Sequence, residues 1–136
     1  MTAAMTQHRT ILVVEDEPDI ASFLEMALEF EGYQVKTARS GQEALSKVRQ
    51  QPPDVVLLDL MLPGVDGWQF LRETRVDPET STIHIIVVTA AYDAAKSPEL
   101  DGLVIVAKPV DVDLLLLLLE DALSSPVAIP PTATRA

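Results

Sequence analysis

Polar side chains capable of chemistry follow directly on apolar runs at several places in this chain. Val55-Val56-Leu57-Leu58 ends at Asp59, and Thr10 to Val14 ends at Glu15-Asp16-Glu17. Ile83 to Val88 ends at Thr89, and Leu103 to Ala107 ends at Lys108-Pro109. Each run is short, rich in β-branched residues and bounded by turn formers, the pattern of a strand buried on both faces. Such strands belong to parallel sheets, whose ligands sit beyond the carboxyl ends of the strands. Glu15, Asp16, Asp59, Thr89 and Lys108 are therefore expected to meet at one sheet edge. Two carboxylates about 4 Å apart repel by on the order of 4 kcal/mol at an effective dielectric near 20. A hard divalent cation relieves this, and oxygen ligands without His or Cys select Mg2+, Mn2+ or Ca2+. Mg2+ takes one or two carboxylates plus waters and phosphate oxygens, a description that Asp16 and Asp59 fit. An ammonium from Lys108 and a hydroxyl from Thr89 complete the parts that stabilise a phosphoryl group in transfer. A carboxylate can itself be the nucleophile, and Asp59 is the candidate.

The elements that must position these residues are legible in order. Pro18 and Asp19 open a helix whose Ile20, Phe23, Leu24, Ala27 and Leu28 are expected on one buried face, with Gly32 ending it. Tyr33 to Ala38 alternates like a strand near the sheet edge. Ser40-Gly41-Gln42-Glu43 is a capping box for a helix burying Ala44, Leu45 and Val48, stopped by Pro52-Pro53. Gly67 to Arg75 is a helix carrying Trp68 and Leu71 inward, and Val76 to Thr82 a polar connection. The stretch Ala90 to Gly102 should hold a helix but is short and interrupted at Pro98, so a single turn or irregular loop is expected there. Asp111 to Ser124 is the last helix. Strands alternating with helices make a doubly wound α/β parallel sheet, with helices on both faces.

Composition bounds the function. The 136 residues are read as one domain, 9–124, between a flexible N-terminus (1–8) and a disordered tail (125–136). A net charge of −11 argues against nucleic acid or an anionic membrane as partner. The absence of cysteine excludes thiol chemistry and disulfides. Neither a signal peptide nor a membrane-length apolar run is visible, so a cytoplasmic location is expected.

Taken singly, each candidate has an ordinary explanation. Glu15-Asp16-Glu17 is also a common acidic helix start, Thr89 a strand-end hydroxyl and Lys108 a solvated charge. His84 reads as a structural or edge residue and Trp68 as packing. The whole set is another matter. Ile11-Leu12-Val13-Val14-Glu15-Asp16-Glu17-Pro18, Leu57-Leu58-Asp59-Leu60-Met61-Leu62-Pro63-Gly64-Val65-Asp66-Gly67, Val87-Val88-Thr89-Ala90 and Lys108-Pro109 together resemble the receiver domain of two-component response regulators, the chemotaxis-regulator type. The resemblance spans roughly residues 10–123. It implies a flavodoxin-like five-stranded parallel sheet of order 2-1-3-4-5. It implies that Asp59 is the phosphoacceptor, and that Asp16, Asp59 and the Met61 backbone carbonyl ligate Mg2+ with Glu15 assisting through water. It implies that Thr89 and Lys108 bind phosphoryl oxygens, that Lys108-Pro109 is cis, and that a histidine kinase or His-phosphotransfer protein donates the phosphate. Ala90, being small, would leave the acceptor open to that histidine.

Two departures bear on output. Ile105 stands three residues before Lys108, where the family usually has an aromatic residue that turns inward on phosphorylation. The Thr89-to-Lys108 segment is also short, which leaves a shortened or irregular fourth helix. In the last helix, Leu115, Leu116, Leu119 and Leu123 are expected to face the sheet, and Leu114, Leu117 and Leu118 to point outward as a contact surface for a second copy or a partner.

The reading is a stand-alone receiver that takes a phosphoryl group on Asp59 and signals by protein–protein contact or onward transfer, not a turnover enzyme. Its rival is a receiver-like interaction module that works without phosphate. An aspartate-nucleophile phosphohydrolase would need an acid where Met61 stands, and a flavin-binding fold would need a Ser/Thr-Gly phosphate loop. The acid cluster gives a direct test. Mg2+ at ten times its Kd should stabilise the fold by roughly 1.4 kcal/mol, seen as a raised thermal midpoint. An unchanged melting curve across a wide Mg2+ titration would count against the metal site.

Overall fold

The computed structural model describes residues 9–62, 67–90 and 97–124. Strands β1 (Thr10–Val14), β2 (Gln34–Ala38), β3 (Val55–Leu58), β4 (His84–Thr89) and β5 (Val104–Ala107) form one sheet of order β2-β1-β3-β4-β5. Every pairing is parallel. Helices α1 (Pro18–Phe30), α2 (Gly41–Gln50), α3 (Gly67–Val76) and α4 (Val112–Ser124) connect or follow the strands, and Pro98–Leu100 is a single 3-10 turn.

Alternation along the central strands sends side chains into two separate cores. Leu12, Val14, Val56, Leu58, Ile85 and Val87 point to one face, where Ala44, Leu45 and Val48 of α2 and Phe70 and Leu71 of α3 cover them. Ile11, Val13, Val55, Leu57, Ile86 and Val88 point to the other, beneath Leu24 and Leu28 of α1 and Leu115 and Leu119 of α4. This double burial is why β1 and β3 contain nothing but apolar side chains after Thr10, whereas β2 at the sheet edge alternates with exposed Gln34 and Lys36.

The local signals act as their chemistry requires. Ser40 Oγ accepts the Glu43 N–H at 3.1 Å. Glu43 Oε1 in return accepts the Arg39 N–H at 2.9 Å, one residue upstream of the cap position itself. That bond, more than the adjacent Lys47, holds the Glu43 carboxyl below its ordinary range. Gly32 takes φ +97° after α1, a conformation that disfavours a Cβ. The Lys108-Pro109 peptide is cis.

Several expectations need correction. Phe23 is exposed, and Ala21 takes its place in the buried face of α1. In α3 the fully buried aromatic is Phe70, while Trp68 is only partly buried against the same core. Leu118 packs partly into the α1/α4 core instead of pointing outward, whereas Leu114 and Leu117 are exposed as expected. β4 and β5 each begin one residue later than expected, at His84 and Val104. Of the weak stretch before β5, residues 97–102 form the 3-10 turn and its exit, with Leu100 buried in the α2/α3 core; residues 91–96 lie outside the described residues. The turn at Pro63-Gly64 and the segments 1–8 and 125–136 also lie outside them.

One close approach ties the fold to its acidic edge. A Cβ built on Gly67 would lie 2.5 Å from the Asp59 carbonyl oxygen and 2.6 Å from the Leu60 Cα. Backbone on backbone cannot yield cheaply, so Gly67→Ala should cost about 1–3 kcal/mol through overpacking. At Gly32, where a Cβ meets open space, alanine should cost only the left-handed penalty of about 1–2 kcal/mol. Urea denaturation midpoints compare the two. A disturbed acceptor loop, read as weakened Mg2+ stabilisation, should appear in Gly67→Ala alone.

Candidate functional site

The parallel register decides which residues meet. Val14 lies beside Leu58, and the ladder runs one step further, with the Asp59 N–H donating to the Val14 carbonyl at 3.1 Å. Glu15 therefore stands next to Asp59 across the strand gap. Thr89 pairs with Ala107 at the ends of β4 and β5, and the Lys108 N–H donates to the Thr89 carbonyl at 3.0 Å. Four strand ends thus deliver Glu15, Asp59, Thr89 and Lys108 to one edge, as the apolar runs imply.

Lys108 makes the decisive contacts. Its Nζ donates to Glu15 Oε1 at 2.8 Å and to Asp59 Oδ2 at 3.0 Å. The side chains are 15%, 3% and 5% exposed for Lys108, Glu15 and Asp59, so these ion pairs are shielded from water. The second Asp59 oxygen, Oδ1, accepts the Met61 backbone N–H at 2.9 Å. Both oxygens of the Asp59 carboxylate are accordingly held, which sets its plane. Glu15 Oε2 accepts the Glu17 N–H at 3.2 Å, at the mouth of α1.

Glu15, Asp16 and Asp59 each offer a carboxylate oxygen lying within 4.8 Å of the others. Asp16 is half-buried and the other two are buried. Among the described residues one ammonium, on Glu15 and Asp59, stands against three acids, so the cluster there lacks positive charge. Burial pushes the Glu15 carboxyl above its ordinary value, even though Lys108 and the Glu17 N–H pull it down. Burial alone would lower Lys108, but its bonds to Glu15 and Asp59 outweigh this and keep the ammonium above the usual lysine value. Lys108 is a permanent cation in a pocket that has room for more positive charge. Hard carboxylate oxygens without nitrogen or sulfur donors suit a small divalent ion.

The sequence-derived site residues are therefore brought together. Thr89 is buried at the end of β4, and Ala90 beside it is exposed. Met61 contributes a backbone donor to Asp59 that residue-type reasoning did not anticipate, because main-chain N–H groups leave no trace in composition. Gly67 was likewise missed as a site residue, though a glycine opening a helix soon after Pro63-Gly64 was a usable sign. Ile105, where an aromatic switch would stand, is partly buried and packs with Leu103 against the α2/α3 core.

Comparison with known proteins agrees with this geometry. The model for the response regulator receiver domain matches residues 11–120. The response regulator ArlR of Staphylococcus aureus is 38% identical over 112 residues, covering 82% of this chain and 50% of the relative. The chain thus spans about half the length of the curated relatives it matches. Among solved structures, a response regulator from Chloroflexus aurantiacus superposes with a TM-score of 0.80 at 32% identity, covering 88% of this chain and 100% of that one. The response regulator TrrA of Thermotoga maritima, solved in complex with Mg2+-BeF, gives 0.77 at 32% identity, with 83% and 97% covered. The chemotaxis protein CheY4 of Vibrio cholerae gives 0.77 at 27%, with 85% and 98% covered. With matching motifs, strand order and acidic pocket, this chain belongs to the response regulator receiver domain family of two-component systems.

Proposed function

We propose that this receiver accepts a phosphoryl group on Asp59 from a phosphohistidine, carried by a histidine kinase or a His-phosphotransfer protein, and signals by protein–protein contact or onward transfer. The carrying observation is the fixed Asp59 carboxylate, held by the Met61 N–H and Lys108 with two further acids beside it. A carboxylate oxygen forms the new P–O bond, and the P–N bond breaks toward the imidazole nitrogen, leaving a mixed anhydride on Asp59. Asp16 and Asp59, with the Met61 carbonyl and with Glu15 through water, would hold Mg2+. That ion, when bound, neutralises phosphoryl charge. Lys108, already 3.0 Å from Asp59, presents its remaining donor capacity to the arriving phosphoryl oxygens, and Thr89 supplies a hydroxyl from the neighbouring strand. Such a group reacts once per phosphorylation, so the chain acts as a phosphoacceptor and not as a turnover enzyme on an outside substrate. The pairing with a kinase of the same system fits a cytoplasmic location. Among the described residues no helix is long and apolar enough to cross a membrane.

For output, the last helix presents Leu114 and Leu117, 45% and 64% exposed, as a contact surface for a partner or a second copy. Leu118 has no part in it. A second reading, an interaction module that works without phosphate, draws on Ile105: an aliphatic side chain packed with Leu103 offers no ring to swing when the pocket is charged.

Incubation with acetyl phosphate and Mg2+ separates these readings. A mass gain of one phosphoryl group is expected, abolished in Asp59→Ala; no gain in the parent protein would favour the second. Lys108→Met removes the cation that bridges Glu15 and Asp59. Without Mg2+ it should cost about 2–4 kcal/mol in urea denaturation, since breaking a shielded pair leaves charge uncompensated. Added Mg2+ should recover part of that loss. A variant as stable as the parent would contradict the electrostatic account of the pocket.

A further inference from the structure

Charge is unevenly placed along this chain. Residues 34–53, which supply β2, α2 and the exit from α2, contain Lys36, Arg39, Lys47 and Arg49 against the single acid Glu43. Four bases and one acid make this stretch +3 in a chain whose total is −11. With 21 acids to 10 bases overall, a cation here should readily find a carboxylate. Lys36 does not. Its Nζ donates to the side-chain oxygen of Gln51, a neutral partner, and among the described residues no acid lies within ion-pair distance of it. The Arg39 guanidinium has no such acid either; only its backbone N–H reaches Glu43.

The fold gathers these donors into one cleft. The Gln34 N–H donates to the Arg9 carbonyl, and the Ala38 carbonyl accepts the Glu15 N–H. Alternate residues of β2 thus turn their backbone groups toward β1, which leaves the Thr37 carbonyl on the open edge of the sheet. Lys47 of α2 donates its Nζ to that carbonyl and closes the position to an added strand. Lys36 shares its side of β2 with Ala38, which is buried beneath α2. Between β2 and α2 there remains a cleft of about 460 Å3, lined by Lys36, Lys47, Gln50 and Gln51. Two ammoniums and two primary amides make it a donor surface. Glu43 stands 3.1 Å from Lys47, but both side chains of this pair are more than a third exposed, so water screens it and an incoming anion displaces it cheaply.

Such a surface selects an anion with several oxygens, and its surroundings select which one. Nucleic acid or an anionic bilayer would extend past the cleft. Glu29 and Glu31, just before β2 in the chain, would then repel it over a screening length of roughly 8–10 Å. A second copy carries the same −11, and joining its acidic surface to this basic one would be a head-to-tail contact that does not close. A short extended run of aspartate or glutamate stays within the cleft, brings a carboxylate to each ammonium and accepts from the amides.

We propose that the cleft between β2 and α2 is a docking site for a short acidic segment of a partner protein, with Lys36 and Lys47 as its cationic anchors. β1 stands between β2 and the strand that leads to Asp59, so this site and the acidic pocket are separate.

Fluorescence anisotropy tests this with the full chain and a labelled peptide alternating aspartate and serine, beside its asparagine counterpart. The aspartate peptide alone should bind, and added salt should weaken it. Lys36→Glu should cost about tenfold in affinity by turning attraction into repulsion. Lys36→Arg should keep the binding. Arg72→Glu makes the same change in net charge on the side of α3 that meets Glu99, and should leave affinity unchanged. Thermal melts matching the parent show that the variants fold. No binding by the parent, equal binding by all variants, or an equal loss in Arg72→Glu overturns the proposal. So does a preference for a single-stranded oligonucleotide of matched charge, or a concentration-dependent dimer that Lys36→Glu abolishes.

Discussion

A single ammonium group organises the acidic edge of this molecule. Lys108 reaches Glu15 at 2.8 Å and Asp59 at 3.0 Å, and so joins the ends of β1, β3 and β5. Two nearly buried carboxylates side by side are tolerable only with such a partner, because desolvation and mutual repulsion both oppose their charge. The compensation is incomplete, since Asp16 adds a third acid. A pocket fully neutralised by protein cations would not attract a further cation, whereas this one keeps acids in excess of the Lys108 ammonium.

The remainder of the fold keeps these charges in place. Parallel strands set the register by which Glu15 adjoins Asp59 and Thr89 adjoins Ala107, and two cores press the strands from both faces. Gly67 lets the start of α3 close over the backbone of Asp59 and Leu60. The Met61 N–H then fixes the Asp59 carboxylate through Oδ1. Stability and the acidic edge share these parts: the strands whose burial drives folding are the ones that lead into Glu15, Asp59, Thr89 and Lys108.

How much of this was readable from residues alone follows from where the information is stored. Strand runs such as Val55 to Leu58 announce burial on both faces, so the sheet, its acidic edge and the convergence of Asp16, Asp59, Thr89 and Lys108 were legible. The strand order came from resemblance to a known family. Periodicity failed where an apolar set is too wide for one face. In α1, Ile20 to Phe30 offers more hydrophobes than the sheet can cover, and Phe23 was assigned inward although Ala21 sits there. In α4 the same ambiguity misplaced Leu118. Phe70 went unnoticed beside Trp68, though burial favoured the smaller ring. Backbone donors such as the Met61 N–H, and near contacts such as that at Gly67, have no residue-type signature and required coordinates.

The central claim is that Asp59, Lys108 and the neighbouring acids form one preset phosphoryl and Mg2+ pocket. The most direct measurement is a two-dimensional amide NMR titration of the full chain with Mg2+ and beryllofluoride, a phosphoryl mimic. The account predicts a new set of resonances for the amides of Glu15, Asp59, Met61, Thr89 and Lys108, with Thr10 and Asp54 at the opposite pole unmoved. Unchanged spectra, or changes centred away from the ends of β1, β3, β4 and β5, would contradict it.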